Sequence, residues 1–263
     1  MNEADSPASR RAPASFARDG FVIARGLCDE ATVDALRAAT ERDLAVPAAP
    51  VEYEADVAYP GAPATRSAPG GETVRRLLDA LSRDPVFARW AASPALTGWA
   101  RRLLDSECIR VVRAHHNCIM TKHPRHSSAT GWHQDIRYWS FERPDLVNAW
   151  TALDEEGPDN GGMRLIPGSH RAAFDVDAFD ADRFFRFDHP PNRAWMERAV
   201  QADLRPGDVL FFHAALLHAA GPNRTDQRKR AVVFSYRATD NRPRPGSRSA
   251  AREDPDPDAL ACR

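Results

Sequence analysis

The sequence predicts a mainly β domain, an antiparallel barrel or jelly roll with flanking helices. Three observations carry this reading. Helical periodicity is confined to the first 104 residues, and after Asp105 it gives way to short apolar runs. Those runs, seven or eight of them, are separated by turn residues such as Asp159-Asn160-Gly161-Gly162 and Pro206-Gly207-Asp208. At 263 residues, 43% apolar and 28% charged, the chain has material for one substantial core, and no internal repeat divides it.

The elements follow in order. Met1 to Pro13 is rich in Ala, Ser, Arg and Pro and is expected to be disordered. Phe16 to Arg25 reads as a short helical turn, a Gly and a strand at Phe21-Val22-Ile23. Asp29 is placed to cap a helix from Glu30 to Leu44, with Val33, Leu36 and Thr40 on its inner face. Five prolines between Val46 and Gly71 exclude a long regular element there, and a loop of that length suits a lid. From Glu72 to Leu104 the pattern is helical: Val74, Leu77, Leu78 and Leu81 fall at i, i+3, i+4 and i+7, and Leu96, Trp99 and Leu103 follow Pro94.

Ile109 to Met120 then reads as one long strand or two paired ones. Further strands are expected around His133 and Asp135, at Val147 to Leu153, Met163 to Ile166, Val209 to His213 and Arg230 to Arg237. Arg171 to Val200 has little strand character. The expected organisation is one catalytic domain over residues 14–240, followed by a Pro-rich tail, 241–263.

Composition narrows the function. A net charge of −1, from 36 basic and 37 acidic residues, gives no electrostatic basis for binding nucleic acid or an anionic membrane. No apolar run approaches the roughly 20 residues that span a bilayer, and Met1 to Pro13 lacks the apolar core of a signal peptide. Cys28, Cys108, Cys118 and Cys262 form no CxxC pair and read as reduced thiols. A cytoplasmic enzyme of small molecules, monomeric or homodimeric, is the expectation.

The stretch Thr130-Gly131-Trp132-His133-Gln134-Asp135 carries the chemistry. On a strand, His133 and Asp135 point to the same side and can grip one metal ion. Two imidazoles and one carboxylate leave open positions on the metal, as in non-haem Fe(II) oxygenases. An isolated His-x-Asp is usually a surface pair, so the third ligand decides. Downstream stand His170, His189, His213 and His218. His218 falls after a strand and before a turn, at a barrel rim; His213 is the alternative, at the end of its strand after Phe211-Phe212.

With these residues in view, the sequence resembles the phytanoyl-CoA dioxygenase family. The resemblance rests on Trp132-His133-Gln134-Asp135, Tyr138, Pro144-Asp145-Leu146, Ala149-Trp150-Thr151-Ala152-Leu153, Asn160-Gly161-Gly162 and Ile166-Pro167-Gly168-Ser169-His170. It continues through Pro206-Gly207-Asp208-Val209, His218, Gly221 and Asn223, and covers Phe16 to about Asp240. It implies a double-stranded β-helix, a cupin-like jelly roll, holding Fe(II) through His133, Asp135 and His218, with 2-oxoglutarate and O2 as cosubstrates. It implies oxidative decarboxylation to succinate and CO2 coupled to hydroxylation of an unactivated C–H. The Asp at 135 argues for hydroxylation, because related halogenases carry a small residue there. The substrate class stays open among acyl-CoA thioesters, amino-acid derivatives and natural products.

One position departs from the family. An Arg that pairs with the far carboxylate of 2-oxoglutarate is usual eleven residues after the distal His; here that residue is Lys229, with Arg230 beside it. Strand parity puts Lys229, Ala231, Val233 and Ser235 on one face and Arg230, Val232, Phe234 and Tyr236 on the other. The small Ala231 favours the Lys229 face for a ligand, with Arg230 the alternative anchor. Trp150 matches a position against 2-oxoglutarate. Lys122, Asn117 and His116, on the approach to the site, and Arg137 and Tyr138, after the metal motif, are candidates for its lining. Two rival readings stand: a Zn(II) hydrolase or isomerase on the same barrel, and a non-catalytic binding protein.

Overall fold

The computed structural model describes residues 7–260. The described helices other than the short Pro190–Met196 gather on one side of a large sheet, and a smaller sheet packs on the other. The first helix, α1 (Pro7–Asp19), leads through a Gly20 turn into β1 (Phe21–Ala24) and α2 (Glu30–Ala45). Helix α1 thus begins inside the segment expected to be disordered; residues 1–6 lie outside the described residues. Asp29 caps α2 as anticipated, accepting from the Thr32 amide at 2.7 Å, and Val33, Leu36 and Thr40 are buried.

Next come β2 (Val51–Tyr53), β3 (Val74–Leu78), α3 (Pro85–Ala91) and α4 (Pro94–Leu104). Here β3 corrects the sequence reading. Val74, Leu77 and Leu78 fit helical spacing, yet they form a strand between β2 and the later β5 (Asn117–Lys122). Adjacent Leu77 and Leu78 go to opposite sides, the first to the helix-covered core and the second to the layer between the sheets. Cross-strand packing on both sides outweighs local periodicity.

Ile109 to Met120 divides into β4 (Ile109–Val111) and β5, both paired with the long final strand. The remaining strands are β6 (Thr130–His133), β7 (Leu146–Ala152), β8 (Met163–Leu165), β9 (Val200–Gln201), β10 (Val209–His213), β11 (His218–Ala220) and β12 (Lys229–Ala238). A short α5 (Pro190–Met196) lies in the excursion before β9, and α6 (Pro257–Leu260) ends the described chain.

The large sheet runs β1-β10-β7-β12-β5-β3-β2, with β4 also on β12; the small one runs β6-β11-β8-β9. Their contact layer holds Trp150, Leu210, Phe212, Ala231 and Val233 from the large sheet and Met163 and Leu165 from the small. This is the expected jelly-roll sandwich, with edges that do not close into a continuous barrel. On the far face, Val232, Phe234 and Tyr236 meet α2, α3 and α4. Trp99 stacks on Phe211 at 5.2 Å, the Trp90 indole donates to Thr151 Oγ1 at 2.9 Å, and the Tyr236 hydroxyl donates to the Ala91 carbonyl at 2.7 Å. Each buried aromatic contributes about 1.5–3 kcal/mol, so the helices act as a rigid backing for the sheet.

The C-terminal segment, 241–260, is docked on this frame. Arg237 on β12 donates to Asp254 Oδ2 at 2.6 Å in a buried pair, and the Val111 amide donates to the Pro255 carbonyl. This fastening brings residues 248–250, a 3-10 turn, alongside His115.

Candidate metal centre and active-site cavity

His133 ends β6 and His218 opens β11, and the two are direct cross-strand partners. Their rings stand 4.1 Å apart between centroids. Asp135 lies just past the strand end, as the first residue of a 3-10 turn, Asp135–Tyr138. The premise that His133 and Asp135 share a strand face is thereby corrected: the turn, not strand alternation, swings the carboxylate back to the imidazoles. Asp135 Oδ1 is 3.7 Å from His133 Nε2 and 3.8 Å from His218 Nε2. Among the described residues, these three form the one group whose ligand atoms all lie within 4.8 Å of one another.

The backbone prepares each imidazole. His133 Nδ1 donates to the Gly131 carbonyl at 2.8 Å and His218 Nδ1 to the Leu216 carbonyl at 3.0 Å, which leaves both Nε2 lone pairs for a metal. Burial, reinforced by His218, pushes His133 down to about 3, so it is neutral at physiological pH. Burial works to raise the Asp135 carboxyl, but neighbouring His116 and His218 outweigh it and hold it well below the usual carboxylate range. Asn148 donates to Asp135 Oδ2 at 2.8 Å, and Ser235, paired with it across β7 and β12, donates to the Asn148 carbonyl oxygen. The carboxylate is thus fixed by one oxygen and free to bind through the other. His116 Nε2 also reaches Oδ1, at 3.1 Å, and an oxygen with two lone pairs can serve both His116 and a metal.

A cavity of about 280 Å³ contains these groups. Its lining includes the buried Trp150, Lys122, Lys229 and Arg75, together with Tyr59, His115, Tyr138, Trp139 and Arg248. Lys229 is buried and its ammonium donates to Glu156 Oε2 at 2.8 Å, while the Trp150 indole donates to Glu156 Oε1 at 2.7 Å. Strand β12 therefore sends Lys229 inwards, in line with its parity. Arg230 points the other way, to Asp154 and Glu41, and takes no part in the cavity.

A profile of the phytanoyl-CoA dioxygenase (PhyH) family matches residues 16–231. The chain belongs to the phytanoyl-CoA dioxygenase family. Relatives within and near this family cover most of the sequence. Ectoine dioxygenase of Sphingopyxis alaskensis is 27% identical over 254 residues, which is 90% of this chain and 78% of that protein. The crystal structure of EctD from S. alaskensis with 2-oxoglutarate and 5-hydroxyectoine superposes with a TM-score of 0.75 at 26% identity, covering 99% of this chain and 88% of that one. SnoN, a non-haem α-ketoglutarate-dependent epimerase from nogalamycin biosynthesis, gives a TM-score of 0.69 at 27% identity, covering 89% and 84%.

Other sequence candidates divide. His116 and Lys122 line the cavity, and so does Tyr138, whose hydroxyl donates to the Asp182 carbonyl. Asn117 does not: its amide holds Asp79 and its carbonyl oxygen caps the Leu81 amide. Arg137 stacks 3.3 Å over Phe179 and donates to Gln134, outside the cavity wall. His213 is 3.5 Å from Asp145 and accepts from the Ala215 amide, away from the triad. The loop between Val46 and Gly71 and the excursion from Arg171 to Val200 meet beside the metal group, where Phe184 packs on Tyr59 and on His133. Trp139, which follows the metal motif, lines the cavity too, whereas Glu156, Asn148 and Arg248 were missed. Only Asn148 had a usable signal, since it shares strand parity with Trp150.

Proposed function

We propose that this member of the phytanoyl-CoA dioxygenase family is an Fe(II)- and 2-oxoglutarate-dependent oxygenase that hydroxylates an unactivated C–H of a small molecule. The observation that carries the reading is the preset donor set, with both Nε2 atoms and Asp135 Oδ1 turned to one point and every opposite atom hydrogen-bonded. Bound iron with 2-oxoglutarate and O2 supplies an oxidant, releasing succinate and CO2.

The protein's part is positional. His133, Asp135 and His218 would hold iron, a donor set of two imidazoles and one carboxylate that would leave the metal positions for cosubstrates. Lys229 offers positive charge to the far carboxylate of 2-oxoglutarate, with Trp150 forming a flat wall beside it. Tyr59 and Phe184 shield the metal side, and Tyr138, Trp139 and His115 line the approach for substrate. The stacking of His115 on Trp139, with centroids 4.8 Å apart, keeps that approach rigid.

An epimerase stands among the similar structures, which supports stereochemical inversion as a second reading. Succinate production from 2-oxoglutarate by the Fe(II)-loaded protein, followed across a panel of amino-acid derivatives, acyl thioesters and polyketide-like compounds, tests the class. Mass gain of one oxygen in a product favours hydroxylation, and an unchanged mass with inverted stereochemistry favours epimerisation. Turnover with Zn(II) and none with Fe(II) would sink both.

A further inference from the structure

His116 lies outside the metal triad and touches it. It is the residue just before β5, and its backbone carbonyl accepts from the Ser235 amide at 2.9 Å. Its side chain is 11% exposed and meets the Trp139 ring edge-on, with centroids 5.2 Å apart. Its Nε2 stands 3.1 Å from Asp135 Oδ1, the oxygen that also faces both ligand imidazoles. An ionised carboxylate can only accept, so Nε2 carries the proton of this contact.

Any buried acceptor would satisfy an ordinary core histidine. Two features set this one apart. First, the two oxygens of Asp135 are held by different arms, Oδ2 by the Asn148 amide at 2.8 Å and Oδ1 by His116. A donor on each oxygen resists rotation of the carboxylate about its Cβ–Cγ bond from both ends. Second, a single residue of β12 registers both arms. Ser235 holds His116 through its backbone amide and Asn148 through its hydroxyl. The large sheet thereby grips a carboxylate whose backbone belongs to the turn after β6.

The grip has an electronic side. With Oδ2 taken by Asn148, a metal receives Oδ1 alone, and it shares that oxygen with an N–H. A hydrogen bond to an anionic ligand draws electron density away from it, and outer partners of this kind tune the potential of a bound metal. Weaker donation from Oδ1 favours ferrous over ferric iron.

We propose that His116 is a positioning residue which, together with Asn148, holds Asp135 as a one-oxygen ligand and biases bound iron towards the ferrous state. The inference rests on the Fe(II) reading above and adds to it a residue that binds neither metal nor cosubstrate.

Anaerobic redox titration of the iron-loaded protein, with absorption spectra taken after adding 2-oxoglutarate, tests this on three proteins. These are the wild type, His116→Leu and His116→Gln. Leucine keeps apolar bulk beside Trp139 without a donor, whereas glutamine restores an N–H at similar reach. His116→Leu is expected to lower the ferric/ferrous potential. It is also expected to move the iron-to-oxo-acid charge-transfer band to longer wavelength, because a stronger donor raises the energy of the iron electrons. His116→Gln is expected to reverse both shifts. A wild type that binds no Fe(II), or gives no such band with 2-oxoglutarate, removes the underlying reading instead. With iron bound, an unchanged potential and band in His116→Leu overturn the proposal. A shift that glutamine fails to reverse marks lost packing and overturns it too. X-ray absorption on the iron-loaded wild type is an arm independent of any variant. Two imidazoles and one carboxylate oxygen from the protein support the proposal; a third imidazole, or a carboxylate bound through both oxygens, refutes it.

Discussion

Asn148 donates its side-chain amide to Asp135 Oδ2 at 2.8 Å, across the gap between the large sheet and the turn that follows β6. That one bond decides which carboxylate oxygen faces the imidazoles, and Ser235 in turn fixes the amide's orientation. Replacing Asn148 by Ala leaves Oδ2 unpaired in a buried setting and lets the carboxylate rotate. The expected result is a 10- to 100-fold loss of Fe(II) affinity, about the usual effect of removing such an outer partner. Metal titration with a competing chelator measures it, and Ser235→Ala is expected to act in the same direction, more weakly.

His218 and His213 make a sharper comparison, since both end or begin strands five residues apart. His218→Ala is expected to abolish iron binding and succinate formation. His213→Ala, which loses contacts to Asp145 and to the ring of Phe16, is expected to keep full metal stoichiometry. Iron content by atomic emission, measured on both variants, separates the two. Iron retained by His218→Ala would move the third ligand elsewhere.

Asp208 sets the stability of the turn before β10. Its carboxylate accepts from the Gly26 amide at 2.8 Å, the Arg205 amide at 2.9 Å and the Arg25 guanidinium at 2.6 Å. Burial works to raise its pKa, but these hydrogen bonds prevail and the value is lowered. A carboxylate whose folded pKa is depressed contributes stability above its unfolded value, near 3.9, and loses it as pH falls through the folded value. Asp208→Ala is expected to cost about 2–3 kcal/mol at neutral pH, and the difference from wild type is expected to shrink below about pH 4. Urea unfolding at the two pH values checks both statements.

The sequence disclosed the strands and the metal group better than the walls around them. Strand β12 was legible because parity alone sorts Lys229 from Arg230, and the capped helix α2 was legible because Asp29 and its apolar stripe agree. β3 was not. Its apolar spacing fits a helix, and only pairing with β2 and β5 decides otherwise. Glu156 reaches Lys229 from a loop 73 residues away, a juxtaposition no period encodes. Arg248 and Ser249 come from a tail that composition marks as irregular, yet Ser249 Oγ lies 2.7 Å from His115 Nε2 because Arg237 and Asp254 fasten the segment down.

The division of labour between the two sheets has a geometrical consequence. The imidazole ligands sit on β6 and β11 of the small sheet, whereas Lys122, Trp150 and Lys229 sit on β5, β7 and β12 of the large one. On the proposed reading, with Lys229 at the far carboxylate, a dicarboxylic oxo acid bridges from one sheet to the other, so the sheet separation acts as a gauge of its chain length. The gauge is set by the interleaved layer of Leu165, Met163, Phe212 and Val233, whose bulk spaces the jaws. Enlarging or trimming that layer, with every polar group untouched, is expected to retune which oxo acid fits.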